Sequence, residues 1–165
     1  MGPGVLVIGV GNRLRHDDAA GVEVVSRARA LAAAAPREGR AAAIGFRELE
    51  REPISLIEAW EGTRAVVLVD ALHGLQPAGE VRRFDATERP FPATLRSSAS
   101  THALGVGEAI ELARTLGRLP ARVVVYGVAG TRFDSGEGFS AEVAEQLDPL
   151  AVRVLDEARR LAPAP

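Results

Sequence analysis

Apolar positions along the chain follow two alternating spacings. Residues 5–8, 65–69 and 121–126 are short apolar runs with almost no polar interruption. Such runs predict strands buried on both faces, as in a parallel sheet, where the alternation of a half-exposed strand disappears. Between them, apolar residues recur every three or four positions. Val22, Val25, Ala28 and Ala32 predict a first helix that fades near residues 36–39. Pro53 suits the first turn of a short helix over 53–60. Val106, Ile110 and Ala113 share one face of another helix, which Ser100 or Thr101 could cap. Val143, Leu147, Leu150, Val154 and Leu161 stripe a long terminal helix over 139–161, with Ser140 as its cap. Residues 41–46 predict a weaker second strand. Residues 79–84 carry Glu80, Arg82 and Arg83 and predict an antiparallel edge strand that follows a glycine–proline turn over 74–79. The tail from about residue 162 is expected to fray.

This order predicts an α/β fold over residues 1–165: a single three-layer domain with a mostly parallel twisted sheet of about five strands. Helices cover both faces, and one edge strand runs antiparallel. The chain of 165 residues is long enough for that architecture. Ligands in such folds bind beyond the carboxyl ends of the strands. Three features fall there: the loop from Gly11 to Asp18, Asp70 after the central apolar run, and the segment leading to His102.

Composition then narrows the chemistry. All 20 basic residues are arginine, so a lysine nucleophile is excluded, and the absence of cysteine excludes thiol catalysis, disulfides and thiolate metal sites. Any metal would be held by His, Asp, Glu or backbone oxygen. A net charge of −2 gives no reason to expect nucleic acid or an anionic membrane as a partner. No apolar run reaches the roughly 18 residues of a membrane span, and no secretory signal is visible. A cytoplasmic location is the expectation.

Gly9 and Gly11 after a strand raise a nucleotide-binding α/β protein as one alternative. The third glycine of the dinucleotide pattern would fall at Leu14, and neither Glu48 nor Glu50 ends a crisp strand to hold a ribose. The glycines read more simply as a tight turn. Asp17 and Asp18 follow, and one acidic residue suffices to start a helix. If Asp18 and Asp70 approached to about 4 Å they would repel by roughly 4 kcal/mol at an effective dielectric near 20. Such a pair requires a cation, a shared proton or a basic partner. His102 is the natural third member. Two carboxylates and an imidazole suit a borderline divalent cation, and equally acid–base work on a bound water. His16 and His73 lie near the same carboxylates in sequence, as further ligands or as neighbours that tune them.

The residues Gly9, Gly11, Asn12, Leu14, Asp17, Asp18 and Gly21 together resemble the opening signature of the hydrogenase maturation proteases. The resemblance continues through Val67 to Ala71, the turn at Pro77 to Gly79, Ser100 to Gly105, Val123 to Gly127, and Phe139 and Ser140. It therefore spans nearly the whole chain. It implies an endopeptidase that removes the C-terminal extension of the nickel–iron hydrogenase large-subunit precursor after nickel insertion. The nickel would be carried by the substrate, with no tightly bound cofactor in the isolated protein. The family's metal-contacting triad carries over to Asp18, Asp70 and His102, with Asp17 capping the helix or supporting Asp18. A non-catalytic assembly factor of the same fold is the other alternative.

Overall fold

The computed structural model describes residues 2–35, 43–92 and 105–163. Strand β1 (Val5–Val10) leads through a 3-10 turn (His16–Ala19) into helix α1 (Ala20–Ala34). Then come β2 (Ile44–Leu49), α2 (Pro53–Trp60), β3 (Ala65–Leu72) and β4 (Val81–Asp85). The remainder is α3 (Val106–Thr115), β5 (Arg122–Ala129), a single turn α4 (Ala141–Ala144) and α5 (Leu147–Leu161). The sheet order is β2-β1-β3-β5-β4. The first four of these strands are parallel, and β4 runs antiparallel to β5 at the edge.

The apolar runs of β1, β3 and β5 lie in the sheet interior because each side chain there has a helical layer to meet. One core joins α1 and α5 to one face through Val5, Val7, Val67, Val124, Val154 and others. A second joins α2 and α3 to the opposite face through Leu6, Ile8, Leu68, Trp60, Ile110 and others. At about 1.5–3 kcal/mol per fully buried large aliphatic side chain, these strands contribute much of the folding drive. Among the described residues no helix is long and apolar enough to cross a membrane.

Several boundaries differ from the sequence reading. β2 begins at Ile44 and runs to Leu49, some three residues later than expected. It is an edge strand, only partly buried, so its polar Arg47 and Glu48 belong to the strand. β3 extends to Leu72 and includes Asp70. The expected single terminal helix is two, and Ser140 makes no side-chain cap. Pro149 explains the break. It lacks an N–H and would clash with the carbonyl four residues before it, so it is tolerated only in the first turn of a new helix. Ser100 and Thr101, expected as caps, lie outside the described residues, as does the tail from residue 164; α3 itself starts after Gly105.

Strand order reverses between β1 and β3. α1, which follows β1, packs on one face, and α2, which precedes β3, packs on the other. The crevice at such a reversal is where α/β sheets bind ligands.

Candidate functional site

The chain leaves β1 through Gly11, whose φ of 147° is a conformation that side chains disfavour. A β-carbon there would overlap the Asp18 carbonyl oxygen. Its N–H donates to the Leu49 carbonyl at 3.0 Å. Asn12 then folds the loop back: its Oδ1 accepts from the Leu14 N–H at 2.9 Å, and its own N–H donates to Asp18 Oδ2 at 2.9 Å. Gly21 supports this loop from below, since a β-carbon would overlap the Val69 carbonyl oxygen and push α1 off the sheet. The signature glycines thus serve close backbone approach. Nine residues separate Val10 from Ala20, so the loop does not run directly from strand to helix as a phosphate cradle does.

Asp18 and Asp70 are 5% and 6% exposed, and one guanidinium bridges them. Arg51 Nη1 lies 2.5 Å from Asp18 Oδ1. Its Nε donates to Asp70 Oδ2 at 3.1 Å, and its Nη2 donates to Asp70 Oδ1. The three residues come from the carboxyl ends of three adjacent parallel strands: Asp18 after β1, Arg51 after β2 and Asp70 within β3. The two acids therefore converge, and their required positive partner is a side chain of this chain. Burial pushes the Asp70 carboxyl above its usual range, with Arg51 opposing that rise and Asp18 adding to it. Burial also disfavours the Arg51 cation, but Asp70 and Asp18 more than reverse this, so Arg51 holds its proton more tightly than usual.

Of the two roles read for Asp17 from sequence, capping the helix or supporting Asp18, the cap is not formed. Asp17 is fully buried, and neither it nor Asp18 caps the 3-10 turn or α1. Burial alone would raise its carboxyl, but hydrogen bonds from Arg132, Thr131 and Ser140 outweigh that and hold it below the usual range. It accepts the N–H groups of Thr131 at 2.8 Å, Arg132 at 3.0 Å and Ser140 at 2.8 Å, and the Ser140 hydroxyl at 2.9 Å. Asp17 thereby anchors the loop between β5 and α4 beneath the loop that carries Asp18.

The histidines divide. His16 is buried with φ 46°, its Nδ1 3.1 Å from the Gly138 carbonyl and its Nε2 2.9 Å from Arg132 Nη2. An arginine only donates, so Nε2 accepts and Nδ1 donates. Both ring nitrogens of His16 are committed to the same anchored loop. The His73 ring stacks on Phe133, centroids 3.3 Å apart. Burial lowers its proton affinity, and Arg51 lowers it further while Asp18 opposes this. His102 lies outside the described residues. Among the described residues no three His, Cys, Asp or Glu side chains form a group that could hold a metal ion.

Sequence reasoning placed Asp18 and Asp70 at the strand ends but missed Arg51. The only available signal was the charge argument that two buried carboxylates need a basic partner. With 20 arginines in the chain, that argument identifies a residue type and no position.

A family model described as "Hydrogenase maturation protease" matches residues 51–157. No curated protein sequence is detectably similar. Solved structures are. The hydrogenase maturating endopeptidase HybD of Escherichia coli superposes with a TM-score of 0.75 at 22% identity, over 94% of this chain and 92% of that one. The [NiFe] hydrogenase maturation protease HybD of Thermococcus kodakarensis gives 0.63 at 25%, over 96% and 99%. The HycI protease of the same organism gives 0.68 at 24%, over 94% and 92%.

Proposed function

The chain belongs to the hydrogenase maturation protease family, and from that premise we propose that it cuts the C-terminal extension from a nickel–iron hydrogenase large-subunit precursor, with the substrate's own nickel as the recognition element. The observation that carries this reading is the meeting of Asp18 and Asp70 at the carboxyl ends of the parallel strands, two buried carboxylates bridged by a single arginine. Their combined charge still favours a further cation. In this reading Asp18, Asp70 and His102 contact the nickel that the precursor delivers, and the reaction proceeds in the cytoplasm without a resident metal.

Hydrolysis requires a base near the scissile carbonyl. Asp70 suits that task, because it lies at the strand end beside Asp18 and its burial raises its affinity for a proton. Asp70 takes a proton from water as the oxygen bonds to the carbonyl carbon, and that proton then leaves on the departing amine. Asp18, held by the Asn12 N–H, orients the metal end of the substrate. Asn12 and the loop anchored by Asp17 fix that geometry.

The test is direct. Purified protein is mixed with cognate precursor, with and without nickel, and the C-terminal mass is followed. Loss of the extension only from the nickel-loaded precursor is the expected result. A loaded precursor that binds but stays intact would replace the protease reading with that of an assembly factor. Stabilisation by a nucleotide, with no effect on precursor, would favour the nucleotide-binding alternative.

A further inference from the structure

Every oxygen of the carboxylate pair is already engaged. Asp18 Oδ1 faces Arg51 and Oδ2 accepts the Asn12 N–H, while both Asp70 oxygens accept from Arg51. A divalent cation seated between the two acids would take the same oxygens, at a position where the guanidinium already carries a positive charge. Cation and guanidinium cannot share that seat without strong repulsion.

Arg51 is also built to leave. It stands in the short connection between β2 and α2, outside the sheet ladder. Its side chain is 19% exposed, whereas those of Asp18 and Asp70 are 6% and 8% exposed, so its path to solvent is the shortest of the three. The next residue, Glu52, is fixed by capping α2 through the N–H groups of Ile54 and Ser55. The backbone on the helix side of Arg51 is therefore held, and motion is left to its long side chain. The carboxylates cannot retreat in the same way, since Asp70 lies in a central strand and Asp18 beneath a hydrogen-bonded loop.

We propose that Arg51 is a latch: it fills the seat between Asp18 and Asp70 in the resting protein, excludes free divalent metal, and yields to nickel presented within the precursor. The inference rests on the reading of Asp18 and Asp70 as nickel contacts and adds a selectivity device to it. Free nickel has only the pair's charge to offer against Arg51. Nickel in the precursor brings the docking surface of a whole protein, and that binding drives the exchange. The latch would keep free metal out of the resting site and still admit nickel during turnover.

The experiment measures nickel binding to the protein alone by calorimetry, for wild type, Arg51→Met and Arg51→Lys. Arg51→Met keeps the apolar stem and removes the charge. It should bind nickel at least tenfold more tightly than wild type, and the added affinity should vanish in the Arg51→Met, Asp18→Asn double variant. Arg51→Lys keeps the charge as a single point and loses the fork, so it should gain less. If Arg51→Met folds poorly, nickel should raise its melting temperature while leaving that of wild type in place. Nickel affinity within twofold of wild type for both variants overturns the latch. A gain that survives Asp18→Asn overturns it as well. Precursor cleavage by wild type is scored separately. Cleavage with unchanged metal affinity in the variants removes the latch and leaves the protease reading standing. A metal gain without wild-type cleavage does the reverse.

Discussion

The cluster at Glu157 and the cluster at Asp18 and Asp70 use the same chemistry in opposite proportions. Glu157, on α5, is 3% exposed and accepts from Arg83 of β4 through both oxygens, each at 3.0 Å. It also accepts from the Tyr126 hydroxyl at 2.7 Å and from Arg160 at 2.9 Å. One acid is met by two arginines and a phenol, and its charge demand is more than satisfied. At the strand ends two acids share one arginine, and a negative charge is left over. The first arrangement ties the antiparallel edge strand to the terminal helix and wants nothing further. The second is costly to keep, and this imbalance is the reason for proposing Asp18 and Asp70 as the working pair.

That contrast predicts opposite consequences for removing an acid. Asp18→Asn or Asp70→Asn should lower cleavage of the nickel-loaded precursor by about 10³-fold, within the range seen when an acid–base or charge-stabilising group is lost. Stability should change by less than about 1 kcal/mol, because Arg51 keeps one carboxylate and the repulsion between the two is gone. Cleavage assays and denaturant melts on the same preparations give both readings. Wild-type cleavage by either variant would place the chemistry elsewhere.

Glu157→Ala should do the reverse. It leaves the buried Tyr126 hydroxyl without its acceptor and removes the charge that Arg83 and Arg160 hold, and losing a buried charged hydrogen-bond network costs about 3 kcal/mol. For a chain of this size that is a fall in melting temperature of roughly 6–12 °C. Cleavage measured well below the melting point should stay at the wild-type level. If activity falls along with stability, the two clusters are coupled through β5 and do not act independently.

The difference between the clusters also explains what could be read from sequence. β1, β3 and β5 were legible because strands buried on both faces leave unbroken apolar runs. Asp18 and Asp70 were legible because they follow such runs. Arg51 was not, since its partners are set by where β2 ends, and β2 is an edge strand whose Arg47 and Glu48 obscure the pattern. For Asp17 the sequence left two roles open, cap or support for Asp18, because its partners, Thr131, Arg132 and Ser140, lie more than 110 residues away in sequence. The break before α5 was written in Pro149, but the apolar stripe of Val143, Leu147 and Leu150 continues across it and suggests one helix.

A pH titration sharpens the comparison. Burial alone would raise the Glu157 carboxyl, but Arg83, Tyr126 and Arg160 override this and bring it from 4.5 down to about 2. The unfolded chain binds that proton more readily than the folded one. The contribution is therefore complete above pH 4.5 and is lost as pH falls toward about 2. Allowing for solvent screening of the partly exposed arginines, it amounts to about 2 kcal/mol. Stability curves of wild type and Glu157→Gln should converge across that window and run parallel above it. A gap that persists unchanged to pH 2 would mean that packing around Glu157, and not its charge, holds β4 to α5.

The smallest expected effect lies at the edge of the same network. Arg160 reaches Glu157 from one turn further along α5, but its side chain is 67% exposed. An ion pair that open to solvent contributes under about 1 kcal/mol, because water screens it and the long side chain loses freedom in making it. With Arg160 gone, Glu157 keeps the two-pronged contact with Arg83 and the hydroxyl of Tyr126, so no buried oxygen is left without a donor. Arg160→Ala should therefore unfold in denaturant within about 1 kcal/mol of wild type, with unchanged cleavage. A loss comparable to that of Glu157→Ala would show that the excess positive charge in this cluster is required. The two clusters would then differ in which sign they must retain, and not in whether their charges are satisfied.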